Sequence, residues 1–122
     1  MKKNTHTLGA LGEQRATEYL IEKGYSIIKR NFRFERGEID IIARINNTLV
    51  FVEVKTAQSQ RMGRPESWVT PAKQQQIGKV AEKFLYDYND DTIECRFDVI
   101  GLIHKNGEFA INHIPNAFWL TD

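Results

Sequence analysis

The sequence predicts an α/β fold: a mixed β-sheet flanked by helices, with the element order α-β-β-β-α-β-β. Three observations carry this reading. Two segments show helical spacing of apolar residues and have helix-capping chemistry at their ends. Strand-like runs are joined by Asn46-Asn47 and Asn106-Gly107, pairs that suit two-residue hairpin turns. The second helix falls between two strands, so those strands become parallel neighbours joined by a right-handed crossover.

The first helix spans roughly residues 7–23, where Leu8, Leu11, Ala16, Tyr19 and Leu20 form an apolar stripe and Gly24 supplies a stop. Glu13 falls at the edge of that stripe. From there its carboxylate could reach the neighbouring sheet, although a solvated helix glutamate fits the pattern equally well. A strand rich in aromatic and β-branched residues follows, from Tyr25 to Phe34. Its basic end, with Lys29, Arg30, Arg33 and Arg36, is compatible with phosphate contact or with a solvated, edge-protecting role.

Gly37 to Ile45 and Thr48 to Lys55 read as the two arms of a hairpin around Asn46-Asn47. If those asparagines are the loop, Asp40 lies opposite Glu53 and Glu38 lies opposite Lys55. Strict alternation then gathers all four side chains on one face. Carboxylates on opposed residues, about 5 Å apart, repel by roughly 3 kcal/mol at an effective dielectric near 20. The pair calls for a cation, a proton or a lysine. A hard divalent ion would use both carboxylates as oxygen ligands, with Lys55 holding a water beside it. The alternative is a surface hairpin with solvated ion pairs, but Leu49 and Phe51 share the face of Glu53 and make that face costly for unused charge.

Residues 56–69 have no sustained period and read as a loop leaving the strand that carries Glu53 and Lys55. Arg61 and Arg64 could contact phosphates there. Trp68 suits an anchor that packs the loop on the core better than a stacking platform for a base. Thr70-Pro71 starts the second helix, whose stripe is Ile77, Val80, Ala81, Phe84, Leu85 and Tyr88. Lys73 and Gln74 flank that stripe, able either to reach the site or to cover its edge. Thr92 to Ile103 and Glu108 to Ile114 complete the sheet, with Arg96 and Asp98 on one face and paired to each other.

Composition sets the bounds. A chain of 122 residues, 41% hydrophobic and 27% charged, reads as one ordinary domain over residues 1–122, with no apolar run near the ~20 residues of a membrane span. The N-terminus lacks the apolar segment of a signal peptide, and a single cysteine forms no internal disulfide, so the expected location is cytoplasmic. The net charge of +1 gives no global sign of a polyanionic partner. Locally, however, residues 55–83 are basic and residues 84–98 acidic. The three histidines and one cysteine have no metal-ligand spacing, and neither a phosphate-binding glycine loop nor a nucleophile elbow occurs.

Asp40, followed after twelve residues by Glu53-Val54-Lys55, resembles the D…(D/E)xK core of the PD-(D/E)xK nuclease superfamily. Gly9 to Glu13 with Ala16, Gly37-Glu38-Ile39-Asp40, Phe51 to Thr56 and Arg96 to Val99 are similar to the uncharacterised bacterial YraN-like family, itself similar to archaeal Holliday junction resolvases. This resemblance implies a restriction-endonuclease-like fold and metal-dependent DNA endonuclease activity, with selectivity for branched DNA and a homodimer as further expectations. Asp40 and Glu53 would bind Mg²⁺ or Mn²⁺, Lys55 would position the attacking water, and Glu13 would match the first-helix glutamate of the resolvases. Arg36, Arg61, Arg64, Lys73 and Gln74 would contact nucleic acid, Gln74 matching a helix glutamine of related nucleases. Ile39 stands where the superfamily's namesake proline would be, and the carboxylates remain. A catalytically silent nucleic-acid-binding or accessory protein of repair or recombination is the alternative.

Overall fold

The structure, a computed structural model, describes residues 7–58, 63 and 67–119. Helix α1 (Leu8–Glu22) begins at Thr7, whose hydroxyl accepts the Ala10 N–H at 3.1 Å, and ends at Lys23. Strands β1 (Ser26–Phe34), β2 (Gly37–Ile45) and β3 (Thr48–Ala57) follow. Helix α2 (Pro71–Tyr88) starts with Thr70 as N-cap and Pro71 in its first turn, and stops at Asn89, whose φ of 54° is left-handed. Strands β4 (Glu94–Lys105) and β5 (Glu108–Ile114) close the order. Among the described residues no helix is long and apolar enough to cross a membrane.

The five strands form one mixed sheet in the order β1-β2-β3-β4-β5. Only β3 and β4 are parallel, the pair joined through α2. This is the α-β-β-β-α-β-β mixed sheet expected from the sequence. Each face of the sheet is covered by one helix. On one side Ile39, Ile42, Leu49, Phe51 and Val99 pack with Ile77, Val80 and Ala81 of α2. On the other Ile41, Ala43, Val50, Val52, Ile100 and Leu102 pack with Ala16 and Leu20 of α1. Apolar burial on both faces explains why β2 and β3 read as nearly continuous hydrophobic runs.

The β2–β3 hairpin has the expected register from Ile45–Thr48 to Ile41–Val52, and the ladder stops there. Beyond it the expected convergence of four charges is corrected. Glu38 turns to β1, where its carboxylate accepts a 2.6 Å hydrogen bond from Arg33 Nε instead of facing Lys55. On α1, Leu11 is exposed, whereas Glu13 lies inside the buried face with Gly12, Ala16, Thr17 and Leu20. Gly12 is the reason α1 can lie so close: a Cβ there would overlap the Thr56 side chain on β3.

Candidate active site

Asp40 sits where the sheet loses its regularity on both sides. On β1, Arg30 pairs with Ile41 and Phe32 with Ile39, but the intervening Asn31, in register with Asp40, has a left-handed φ of 52° and makes no ladder pair. On β3 the pairing has already ended at Val52. Side-chain alternation breaks at this point as well, because Ile39 and Ile41, two residues apart, pack on opposite faces of the sheet. The Asp40 carboxylate lies at the break, and its Oδ2 accepts the Val54 N–H at 2.8 Å. A side-chain oxygen thereby satisfies a strand N–H at the place where the β2–β3 ladder has opened.

The opening brings Asp40 and Glu53 into hydrogen-bonding contact. Burial raises the Asp40 pKa most, and the hydrogen bond to Glu53, the charge of Glu53 and that of Glu13 add to the rise, against the lowering effect of the Val54 N–H; the result is about 9. Asp40 therefore keeps a proton at neutral pH and shares it with its neighbour. Glu53 also has a cation, for Lys73 Nζ on α2 lies 3.3 Å from its Oε2. Proton and lysine are two of the three remedies that a close carboxylate pair requires.

Asp40, Glu53, Lys55, Lys73 and Trp68 line one cavity of about 350 Å³. Lys55 is exposed at its rim. On the α1 side a second cavity of about 340 Å³ is lined by Glu13, Asp40, Val54 and Thr56. Asp40 and Val54 form the wall common to both. Glu13 Oε1 accepts hydrogen bonds from Asn31 Nδ2 at 2.8 Å and Arg30 Nη2 at 3.4 Å. Two larger clefts, of about 580 and 690 Å³, run beside α2. They contain no pair of buried carboxylates, and the acidic residues of the second, Asp87, Asp90 and Asp91, are at the solvated end of the helix.

Of the other candidate residues, Arg36 is exposed in the β1–β2 turn, where its carbonyl accepts from Gln76 Nε2 at 3.3 Å. Gln74 donates through Nε2 to the Val69 carbonyl at 3.0 Å, tying α2 to the segment before it. Arg61 and Arg64 lie outside the described residues. Trp68 is an anchor: it is buried, its Nε1 donates to the Gly63 carbonyl at 3.2 Å, and its ring lies over Gly101, where a Cβ would overlap it.

A second buried polar cluster centres on Asp98, which is fully buried. Its carboxylate accepts from Arg96 Nε and Nη2 at 2.8 and 2.9 Å, His113 Nε2 at 2.7 Å and the Asn116 N–H at 2.9 Å. Burial would raise the Asp98 pKa, but these hydrogen bonds and the Arg96 charge outweigh it and lower the value. The Arg96–Asp98 pairing was legible from their shared face; His113 and Asn116 come from far along the chain and carried no local signal. With every partner of Asp98 directed at the carboxylate, the cluster reads as a clamp on the chain beyond β5.

Similarity to known proteins agrees with the sequence motifs. A family model described as "Uncharacterised protein family UPF0102" matches residues 12–102, most of the chain. The chain belongs to this family. UPF0102 is the YraN-like family that the motifs resemble. A UPF0102 protein of Chlorobium phaeobacteroides strain DSM 266 is 44% identical, with 97% of this chain and 98% of the relative covered. Another, from Caldicellulosiruptor saccharolyticus, is also 44% identical and covers 94% of this chain and 99% of its own. Among solved structures, Pyrococcus furiosus SfsA in complex with Ca²⁺ matches with a TM-score of 0.36 and 17% identity, over 84% of this chain and 62% of that one. The UPF0102 match spans Glu13, Asp40, Glu53, Lys55 and Lys73.

Asp40 and Glu53 fit a hard divalent ion. They are two oxygen donors in contact, and burial together with the neighbouring carboxylate makes a second negative charge costly there unless a cation joins the pair. Among the described residues no group of three or more His, Cys, Asp or Glu side chains could hold a metal ion by itself. A two-carboxylate site suits Mg²⁺, which typically takes one or two carboxylates and fills its remaining positions with water and substrate phosphate.

Proposed function

We propose that this UPF0102 protein is a metal-dependent endonuclease that hydrolyses phosphodiester bonds in DNA, with branched DNA as a substrate class. The observation that carries the reading is the contact between Asp40 and Glu53 in a cavity that also holds Lys55. In this reading Asp40 and Glu53 hold Mg²⁺ or Mn²⁺. When bound, the ion supplies positive charge to the scissile phosphate and to the leaving oxygen. Lys55, at the exposed rim, holds the attacking water in line with the phosphorus. The bond from phosphorus to the water oxygen forms as the bond to the leaving oxygen breaks; the attacking water gives up a proton to solvent and the leaving oxygen takes one up, so the products are a phosphate monoester and a hydroxyl. Lys73 and Arg36, both exposed, contact backbone phosphates, and Arg61 and Arg64 extend that contact. Gln74 acts through the Val69 carbonyl, holding Trp68 and the cavity wall in place.

A second reading, a nucleic-acid-binding or accessory protein that does not cleave, draws on Lys73. An ammonium 3.3 Å from Glu53 already compensates one of the carboxylates. Incubation of the purified protein with linear, flapped and four-way DNA in Mg²⁺ or Mn²⁺ separates the two. Cleavage of one or more substrates, abolished by Asp40→Asn and by Lys55→Ala, is the expected result. Cleavage that survives both substitutions removes the proposed site, and binding without cleavage of any substrate favours the second reading.

A further inference from the structure

Successive residues of a β-strand point to opposite faces, so two neighbours on one strand do not ordinarily bind the same atom. Arg30 and Asn31 break this rule: Arg30 Nη2 and Asn31 Nδ2 both donate to Glu13 Oε1 on α1, at 3.4 and 2.8 Å. The left-handed backbone of Asn31, φ 52°, turns the second side chain to the face of the first. Asparagine is among the few residues other than glycine that adopt this conformation readily. The same turn shifts Phe32 to the α2 side, where it packs beside Ile39. A further sign of constraint is Arg30 Nε, buried with no hydrogen-bond partner among the described residues, while Nη1 is held by Gln14 at 2.9 Å.

From this geometry we infer that Asn31 is a positioning residue: its left-handed backbone and its amide together fix Glu13 against Asp40 in the α1-side cavity. The kink does two things at one point of the sheet. It leaves Asp40 without a partner on β1, and it supplies the donor that orients the carboxylate across the cavity from Asp40. Asn31 acts through Glu13 and touches no reacting atom. The inference rests on the metal-site reading only for its consequence in metal binding.

Asn31→Gly keeps the left-handed backbone and removes the amide, while Asn31→Asp keeps the shape and replaces the donor with an acceptor. Side-chain ¹³C relaxation of Glu13 is measured in the metal-free protein, with Leu20 as a core reference, alongside the melting temperature and the dissociation constant for Mn²⁺ alone. In both variants Glu13 should lose order on the ps–ns timescale while Leu20 does not. Melting of Asn31→Gly should stay within about 2 °C of the parent, and Mn²⁺ should bind about 10-fold more weakly. Unchanged order at Glu13 overturns the inference whatever the metal does, and equal loosening at Leu20 overturns it by marking Asn31 as a general structural residue. If the parent fails to bind Mn²⁺ but Glu13 alone is loosened in the variants, the metal-site reading falls and the positioning of Glu13 by Asn31 is supported.

Discussion

Lys73 Nζ, from the first turn of α2, stands 3.3 Å from Glu53 Oε2 on β3, so it would compete with a metal ion proposed to use that carboxylate. The lysine is 46% exposed, so its ion pair contributes little to stability, about 0.5 kcal/mol or less. Lys73→Ala should therefore leave the melting temperature nearly unchanged. With the local positive charge gone, Mn²⁺ affinity should rise a few-fold by calorimetry. Unchanged or weaker Mn²⁺ binding would show that Lys73 and the ion do not share Glu53.

The Asp40–Glu53 contact makes stability depend on pH in a particular direction. The folded pKa of Asp40, about 9, lies above the ordinary 3.8, so between these values the folded chain binds more protons than the unfolded one. The Asp40 contribution is thus fully present below about pH 4 and is lost as pH rises towards 9. Asp40→Asn keeps an oxygen for the Val54 N–H and removes the titration. In metal-free buffer this variant should be more stable than the parent at pH 8 by on the order of 2 kcal/mol, with the difference shrinking towards pH 4. Parallel melting curves for parent and variant across that range would contradict it.

Gly12 sets the distance between α1 and the sheet. A Cβ at this position overlaps Thr56 on β3, and relief requires α1 to move away from the strand. Gly12→Ala should destabilise the protein by roughly 1–3 kcal/mol despite the better helix propensity of alanine. The double variant Gly12→Ala with Thr56→Gly, which clears the overlapping side chain, should recover part of the loss. Chemical denaturation of the parent and the two variants measures the recovery.

Asp98 is the acceptor for Arg96, His113 and the Asn116 N–H. Asp98→Asn leaves the Arg96 guanidinium without its counter-charge and should cost about 3–5 kcal/mol. The lowered pKa of Asp98 means that its stabilisation is present above the unfolded value of about 3.8 and is lost as pH falls through the folded value. Acid unfolding of the parent should therefore have a component that Asp98→Asn lacks.

The hairpin was legible as far as alternation holds. The Asn46-Asn47 turn fixed the register, and Ile41 does face Val52. Past that pair, strict alternation placed Glu38 with Lys55, an error with a definite cause. Asn31 and Asp40 interrupt the pleat, and an asparagine inside a β-rich run gives no sign of which backbone well it occupies. The position of Glu13 was also only half legible. A helical wheel put it at the stripe's edge, whereas the close approach permitted by Gly12 places it within the buried face. That Trp68 is an anchor is legible because a large aromatic in a loop most often buries itself, but its seat over Gly101 depends on a strand about thirty residues downstream, beyond any local pattern.

The chain has two tryptophans, and the fold assigns them different optical roles. Trp68 forms part of the wall around Asp40 and Glu53, while Trp119 is 74% exposed and lines the separate cleft beside α2. With Trp119→Phe, the tryptophan emission, excited beyond the absorption of the four tyrosines, comes from Trp68 alone. A paramagnetic ion such as Mn²⁺ entering the carboxylate cavity would quench that emission at close range, whereas Mg²⁺ in the same place would not. The protein thus carries its own fluorescent gauge of cavity occupancy, without any attached dye.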